Sequence, residues 1–224
     1  MNSDSASTSS SDVAVVGSGI VGTAFAYELS RRGYTVDVFE KGPRYPYPHS
    51  KPFQEKFYYL YDNPEYHLGS EFKNHTLEGS YSRDLETERF MCTGGSATRW
   101  SAITLRMAPE DFQTKSLYGF GRDWPLSYDD LEPYYGKAER YLGVSGTARD
   151  NPFSPPRSDP FPLPPFELSW DDKILADRLD KDDIVIHTTP QARTRESYGD
   201  RDACMNFGTC RTCPIGARYS PNYH

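Results

Sequence analysis

Three glycines near the start of the chain have the spacing of a loop that binds phosphate groups. They are Gly17, Gly19 and Gly22, which follow the apolar residues Val13–Val16. Gly17 permits a tight turn, Gly19 leaves the backbone open to a pyrophosphate, and Gly22 lets a helix pack closely on a strand. The phosphates would lie at the helix N-terminus, where free N–H groups and the helix dipole favour negative charge. The pattern predicts a dinucleotide site.

Such a site needs a strand, a helix and a second strand in that order. Val13–Val16 predicts a buried strand, Ile20–Arg31 predicts the helix, and residues 35–39 predict the second strand, which ends at Glu40. Glu40 lies about 20 residues beyond the glycines, where the pattern places a carboxylate for a ribose hydroxyl. The sequence therefore predicts an α/β fold with a Rossmann-type domain. A turn that only resembles this motif is the alternative.

A second glycine-containing loop, Gly94-Gly95-Ser96, lies further along the chain. Its backbone can press against a flat or phosphorylated ligand, although paired glycines also occur in ordinary turns. The intervening residues 41–90 begin with a stretch rich in proline and tyrosine. Long loops of this kind are usually functional or lie at an interface. A lid over the cofactor, a subunit contact and an irregular crossover all remain open.

Three cysteines, Cys204, Cys210 and Cys213, are concentrated near the end of the chain and precede Pro214. This spacing resembles iron–sulfur ligation, in which Cys-Pro commonly closes the loop. Zinc would need a fourth ligand, and the nearest histidine is His224. A turn that carries reduced thiols is the third interpretation.

Composition excludes several classes of protein. The net charge of −7 argues against a nucleic-acid surface, and no apolar run approaches the ~18 residues of a membrane span. Residues 1–11 are rich in serine and threonine and have no secretory pattern, so they predict a disordered tail and a cytoplasmic protein. The apolar content of 36% predicts that the core needs a partner, a cofactor or further sequence.

Local patterns give the remaining organisation. Residues 127–142 predict a helix with Asp129 and Asp130 in its first turn and a stop at Gly143. Residues 169–179 predict a short helix capped by Ser169, and residues 184–188 predict a strand. The predicted domains are a tail over 1–11, a dinucleotide domain over 12–150 with a lid over 41–90, a proline-rich connector over 151–166, and a substrate or cluster region over 167–224.

Together with the two glycine loops, the segment from Leu117 to Tyr135 resembles the glucose–methanol–choline (GMC) oxidoreductases, closest to the flavoprotein subunits of sugar and sugar-acid dehydrogenases. The resemblance implies FAD, with segments of a substrate domain interleaved with the FAD domain. Some relatives carry a histidine that binds flavin covalently at the position where this sequence has Arg99. The resemblance therefore implies that FAD is bound non-covalently here. Family members are more than twice this length, so the chain is expected to be an N-terminal portion.

The resemblance also implies roles for particular residues. The expected cofactor-binding residues are Gly17, Gly19, Ile20, Gly22, Glu40, Lys41, Gly94, Gly95, Ser96 and Trp100. The expected ligands of a three-iron cluster are Cys204, Cys210 and Cys213. No catalytic residue is expected within this chain, because the family places its catalytic histidine and its partner nearer the C-terminus. The chain alone is therefore expected to be inactive.

The implied reaction is oxidation of an alcohol group of a sugar or sugar acid, with electrons passed to an acceptor other than oxygen. The implied partners are a cytochrome or a small chaperone-like subunit, through which the protein could be periplasmic and associated with a membrane. Two other classes stay open: an NAD-dependent Rossmann dehydrogenase and a non-catalytic module that binds a metal or a partner.

Overall fold

A computed structural model describes residues 10–44, 91–98, 100–149, 151–182, 184–206, 208, 210, 213 and 215–221. Most of the predicted tail and lid lie outside the described residues, as do Arg99 and Pro214. The chain forms two compact units, one of Met1–Trp100 with Ser220–His224 and the other of Ser101–Tyr219. This division falls inside the span 12–150, and the predicted domain boundaries stay a prediction.

The first unit contains a parallel β-α-β arrangement. Strand β1 (Val13–Val16) is followed by helix α1 (Ile20–Arg31) and strand β2 (Val36–Phe39). The strands pair in parallel, with Val13 opposite Val36 and Val16 opposite Phe39. The predicted order of elements is confirmed, because each boundary is marked locally by glycines and by β-branched residues.

Strand β1 is less buried than its apolar sequence predicts. The side chain of Val15 is buried, whereas that of Val16 is 88% exposed. A continuous apolar strand is typical of a sheet covered on both faces. Within the described residues the sheet has only these two strands, and Ala14 and Val16, which lie on the opposite face of β1 from Val15, are both exposed.

Two of the α-helices in the second unit begin at serine N-caps. Helix α2 (Thr114–Tyr118) is short, and α3 (Tyr128–Leu142) and α4 (Trp170–Leu179) both begin at a serine. The Ser127 hydroxyl accepts from the N–H of Asp130 at 3.3 Å, while the Asp130 carboxylate accepts from the N–H of Ser127 at 2.8 Å. Ser169 and Asp172 form the same reciprocal box. Both predicted helices are confirmed, and the capping boxes explain where they begin.

Short irregular segments build the core of the second unit. Single bridges join Ser145 to Leu163 and to Gln191, and Arg193 to Arg218. The strand predicted over residues 184–188 is wrong: this segment is not a strand, and Ile184 and Val185 are about half exposed, at 51% and 46%. β-branched residues form a strand only where a neighbouring backbone supplies the ladder.

A buried charge network fastens the connector 151–166 to α3. Glu139 is 5% exposed and pairs with Arg106 and Arg157, while Glu132 pairs with Arg106. The Glu132 carboxylate also accepts hydrogen bonds from the N–H and hydroxyl of Ser158. The connector is thereby held in place by charge-assisted hydrogen bonds, the strongest class in proteins.

Among the described helices, none combines the length and apolar character needed to cross a bilayer.

Candidate functional site

The turn after β1 is built on a close approach between two glycines. Gly17 has φ +93°, a left-handed conformation that glycine adopts without strain, and its N–H donates to the carbonyl of Phe39 at 2.7 Å. A Cβ on Gly22 would lie 2.1 Å from the Gly17 oxygen and 3.4 Å from Val15. The absence of a side chain at Gly22 therefore lets α1 pack directly on the turn and on β1, as its spacing predicts.

The N-terminus of α1 has the features of an anion site. Gly19 is its N-cap and offers no side-chain cap, and the first turn contains no acidic residue. A Cβ on Gly19 would meet nothing within 4 Å, whereas one on Gly95 would lie 3.4 Å from the Gly19 Cα. The two glycine loops therefore approach each other at a helix end whose dipole favours a pyrophosphate.

Glu40 lies directly after β2, and its carboxylate is held by the glycine-rich turn. Oε2 accepts from the N–H of Ser18 at 2.9 Å and from its hydroxyl at 2.6 Å, and Oε1 accepts from the N–H of Gly42 at 2.8 Å. Burial acts to raise the pKa of Glu40, but the hydrogen bonds from Ser18 and Gly42 outweigh it and lower the pKa below its ordinary value. Glu40 is thus an oriented carboxylate anion at the position expected for a ribose ligand.

Ser18 is a central residue of this arrangement that sequence reasoning missed. It is 6% exposed, and its hydroxyl accepts a hydrogen bond from the N–H of Gly94 at 3.1 Å while it bonds to Glu40. Ser18 therefore joins the first glycine loop, the end of β2 and the second glycine loop. The available signal was a hydroxyl residue between Gly17 and Gly19, where only the glycines were considered.

The other predicted cofactor residues occupy the same unit. Ile20 is the first residue of α1, Lys41 follows Glu40, and Ser96 lies in a short 3-10 helix, Gly95–Thr98. Trp100 is the last residue before the division between units. Their positions are compatible with the predicted site, and their contacts with a cofactor stay a prediction.

These residues fit the two polar parts of a dinucleotide. An open glycine N-cap suits a diphosphate, and an ionised carboxylate at the end of the second strand suits a ribose diol. A side chain at Gly22 would overlap the backbone of the turn, so the geometry depends on glycine there. The donor set therefore fits the adenosine diphosphate portion of FAD.

The three cysteines lie in the second unit and have separate polar partners. The Cys204 sulfur accepts from the N–H of Asn206 at 3.3 Å, Cys210 from the Arg193 guanidinium at 3.3 Å, and Cys213 from the N–H of Arg218 at 3.4 Å. The described residues include all three thiols, and in that part of the chain no three histidine, cysteine or carboxylate side chains are grouped to hold a metal ion. The predicted cluster is therefore not supported by the described residues.

Known proteins with similar sequences are named as dehydrogenases and an oxidase. The chain is 30% identical to the fructose dehydrogenase large subunit of Gluconobacter japonicus, over 96% of this chain and 43% of that protein. It is 27% identical to the gluconate 2-dehydrogenase flavoprotein of Pantoea cypripedii, over 94% and 41%, and 29% identical to the 6'''-hydroxyparomomycin C oxidase of Streptomyces lividus, over 92% and 36%. The chain therefore spans less than half the length of these relatives.

The family match covers the part of the chain that contains the site. The family model described as FAD dependent oxidoreductase matches residues 12–134, more than half of the chain. This span includes the glycine-rich turn, Glu40 and the second glycine loop. The β-α-β unit, the open N-cap and the oriented carboxylate agree with that match, and the chain belongs to the FAD-dependent oxidoreductase family.

Proposed function

We propose that the protein is a dehydrogenase of the GMC type that oxidises an alcohol group of a sugar or sugar acid. The Glu40 carboxylate, held by Ser18 beside the glycine N-cap of α1, supports the FAD part of this proposal. The relatives named for fructose and gluconate support the substrate class. When bound, FAD supplies the two-electron oxidant, while this chain orients the cofactor.

The residues of this chain have binding roles in the proposal. The first-turn N–H groups of α1 would hold the pyrophosphate, and Glu40 would accept a hydrogen bond from the adenosine ribose. Gly94, Gly95 and Ser96 would lie along the pyrophosphate and the flavin, with Ile20, Lys41 and Trp100 beside them. The fold resembles a Rossmann domain in this role, and the base that accepts the alcohol proton is not assigned to a described residue of this chain.

His187 is the histidine within the described substrate region, and its surroundings favour a structural role. Its Nδ1 lies 3.0 Å from the carbonyl oxygen of Thr188, and its Nε2 lies 2.9 Å from that of Arg149. A neutral imidazole donates to one of these two carbonyls, and backbone oxygens therefore lie next to both ring nitrogens. A catalytic base must instead reach the proton of the substrate, which supports placing the base elsewhere.

One relative has a name that indicates an assembly, the fructose dehydrogenase large subunit. We therefore infer that electrons leave the protein through a partner subunit such as a cytochrome, and that any association with a membrane or the periplasm occurs through that partner. The Cys204, Cys210 and Cys213 region is not assigned a step in this path.

The test is a steady-state assay with the purified full-length protein, FAD, a panel of fructose, gluconate and glucose, and an artificial dye as acceptor. Dye reduction that depends on a sugar or sugar acid, with slow oxygen consumption, is the expected result. Bound flavin would be identified from its absorption spectrum after release by acid. Turnover that requires NAD and no flavin would overturn the proposal, and residues 1–224 alone are expected to be inactive.

A further inference from the structure

The hydroxyl group of Ser18 makes two hydrogen bonds, one as acceptor and one as donor. The N–H of Gly94 can only donate, so the Ser18 oxygen accepts that bond at 3.1 Å. The single hydroxyl proton of Ser18 is therefore directed to Glu40 Oε2, 2.6 Å away. The result is a chain of hydrogen bonds from a buried backbone N–H through a hydroxyl to a carboxylate, in which each bond polarises the next.

This series of hydrogen bonds restrains the carboxylate of Glu40 more than a hydrogen bond from the backbone alone would. The N–H of Ser18 and its hydroxyl both reach Oε2, at 2.9 and 2.6 Å, while Oε1 receives the N–H of Gly42. The backbone of Lys41 also bonds to Glu40, so a ribose hydroxyl would have to share the carboxylate with one of these donors or displace it, since a carboxylate accepts roughly four hydrogen bonds. The Ser18 hydroxyl therefore helps to fix the orientation in which the carboxylate meets a ligand.

We propose that Ser18 is a positioning residue that gives the site its selectivity for the ribose diol of FAD, by orienting Glu40 and coupling it to the Gly94 loop. The proposal rests on the FAD site described above and adds a residue outside the predicted cofactor set. Ser18 acts through Glu40 and needs no contact with the cofactor. Its burial at 6% exposure means that water cannot readily replace the missing hydroxyl in a variant.

The test compares two soluble probes, ADP and 2′-deoxy-ADP, by calorimetric titration of the purified protein after removal of flavin. These probes share the phosphates and the base and differ by one ribose hydroxyl. We expect the wild-type protein to prefer ADP by roughly tenfold, the effect of one charge-assisted hydrogen bond. In Ser18→Ala the affinity for ADP should fall to near that for 2′-deoxy-ADP, while the affinity for 2′-deoxy-ADP changes little.

Two further variants separate positioning from general damage. Ser18→Thr keeps the hydroxyl and should restore most of the preference for ADP. Thr23→Ala removes a hydroxyl from the same β-α-β unit, but Thr23 donates to the carbonyl oxygens of Gly19 and Ile20 within α1. This matched control should keep the wild-type ratio of the two affinities.

Each contrary outcome has a distinct meaning. If Ser18→Ala keeps the wild-type preference for ADP, or loses affinity for both probes equally, Ser18 does not set selectivity and the inference is overturned. If the wild-type protein binds both probes equally, the ribose role of Glu40 and this inference both fall, although flavin binding can stand. If the wild-type protein binds neither ADP nor FAD, the proposed function itself is wrong.

Discussion

Arg106 and Glu139, 33 residues apart, form a bidentate ion pair inside the second unit. Nε lies 2.8 Å from Oε1 and Nη2 lies 2.9 Å from Oε2, and the two side chains are 4% and 7% exposed. Arg157 approaches the same carboxylate from the connector. Glu139 therefore bridges two buried guanidinium groups, whose charges it balances together with Glu132, and the connector depends on Glu139 for its position.

Glu139→Gln is expected to destabilise the protein by about 3–5 kcal/mol, because it removes the carboxylate that pairs with the buried Arg157 and leaves Arg106 with Glu132 as its remaining ion-pair partner. The free energy of unfolding would be measured by urea denaturation. The matched control is Arg140→Ala, which breaks an ion pair with Asp159 whose side chains are 48% and 50% exposed. That pair is expected to contribute about 0–1 kcal/mol. Equal losses in the two variants would contradict the structural role of Glu139.

Acid should weaken the same region through Glu132. Hydrogen bonds from the N–H of Ser158 and from Arg106 lower the pKa of Glu132 from 4.5 to about 2. A carboxyl group whose folded pKa is depressed stabilises the fold above its unfolded pKa, and that contribution is lost as the pH falls from 4.5 towards 2. The stability of Glu132→Gln should therefore depend less on pH in this window than that of the wild type. Identical pH profiles, measured by thermal unfolding, would show that the carboxylate is not held as described.

Alanine at two glycines should separate folding from cofactor binding. A Cβ on Gly22 would lie 2.1 Å from the Gly17 oxygen, so Gly22→Ala is expected to disrupt the β-α-β unit and abolish flavin binding. Gly19 has φ −66° and open space around its would-be Cβ, so Gly19→Ala should fold. It should nevertheless bind FAD weakly, because the added methyl group occupies the approach of the pyrophosphate. Circular dichroism and flavin titration would distinguish the two effects, and normal FAD affinity in Gly19→Ala would place the pyrophosphate elsewhere.

Removal of the Glu40 carboxylate should weaken FAD binding without unfolding the protein. The expected loss in Glu40→Ala is about 1.5–3 kcal/mol, the range for a hydrogen bond to a charged group. Fluorescence titration with FAD would measure it. Glu28→Ala is the matched control, because Glu28 is an exposed carboxylate on α1 in the same unit. A loss of equal size in both variants would indicate a general effect of charge and would remove Glu40 from the ribose site.

The thiols should react in two groups. Cys92 and Cys213 are buried, at 1% and 6% exposure, whereas Cys204 and Cys210 are partly exposed, and none of the four forms a disulfide bond. We expect a thiol-specific reagent to modify two cysteines in the folded protein and the other two only after denaturation. Protection of Cys204, Cys210 and Cys213 together, with iron and sulfide in the purified protein, would restore the cluster interpretation that the geometry does not support.

The elements of the fold could be predicted where their signals are local. The glycines Gly17 and Gly22 marked the turn and the start of α1, and Ser127 marked the start of α3. Gly143, with φ +61°, marked the end of α3. These signals suffice because capping and turn geometry depend on residues only a few positions apart. The strand predicted over residues 184–188 does not form, because a strand also requires a partner from elsewhere in the chain.

The sequence by itself determined the β-α-β order, the glycine turn, the placement of Glu40 and the expectation of a dinucleotide cofactor. Only the tertiary structure decided how these parts are held together. Ser18 meets Gly94 across 76 residues, and Arg106 meets Glu139 across 33. No local propensity encodes such pairs, because each forms only when packing brings distant segments within hydrogen-bond distance and excludes the water that would otherwise satisfy them.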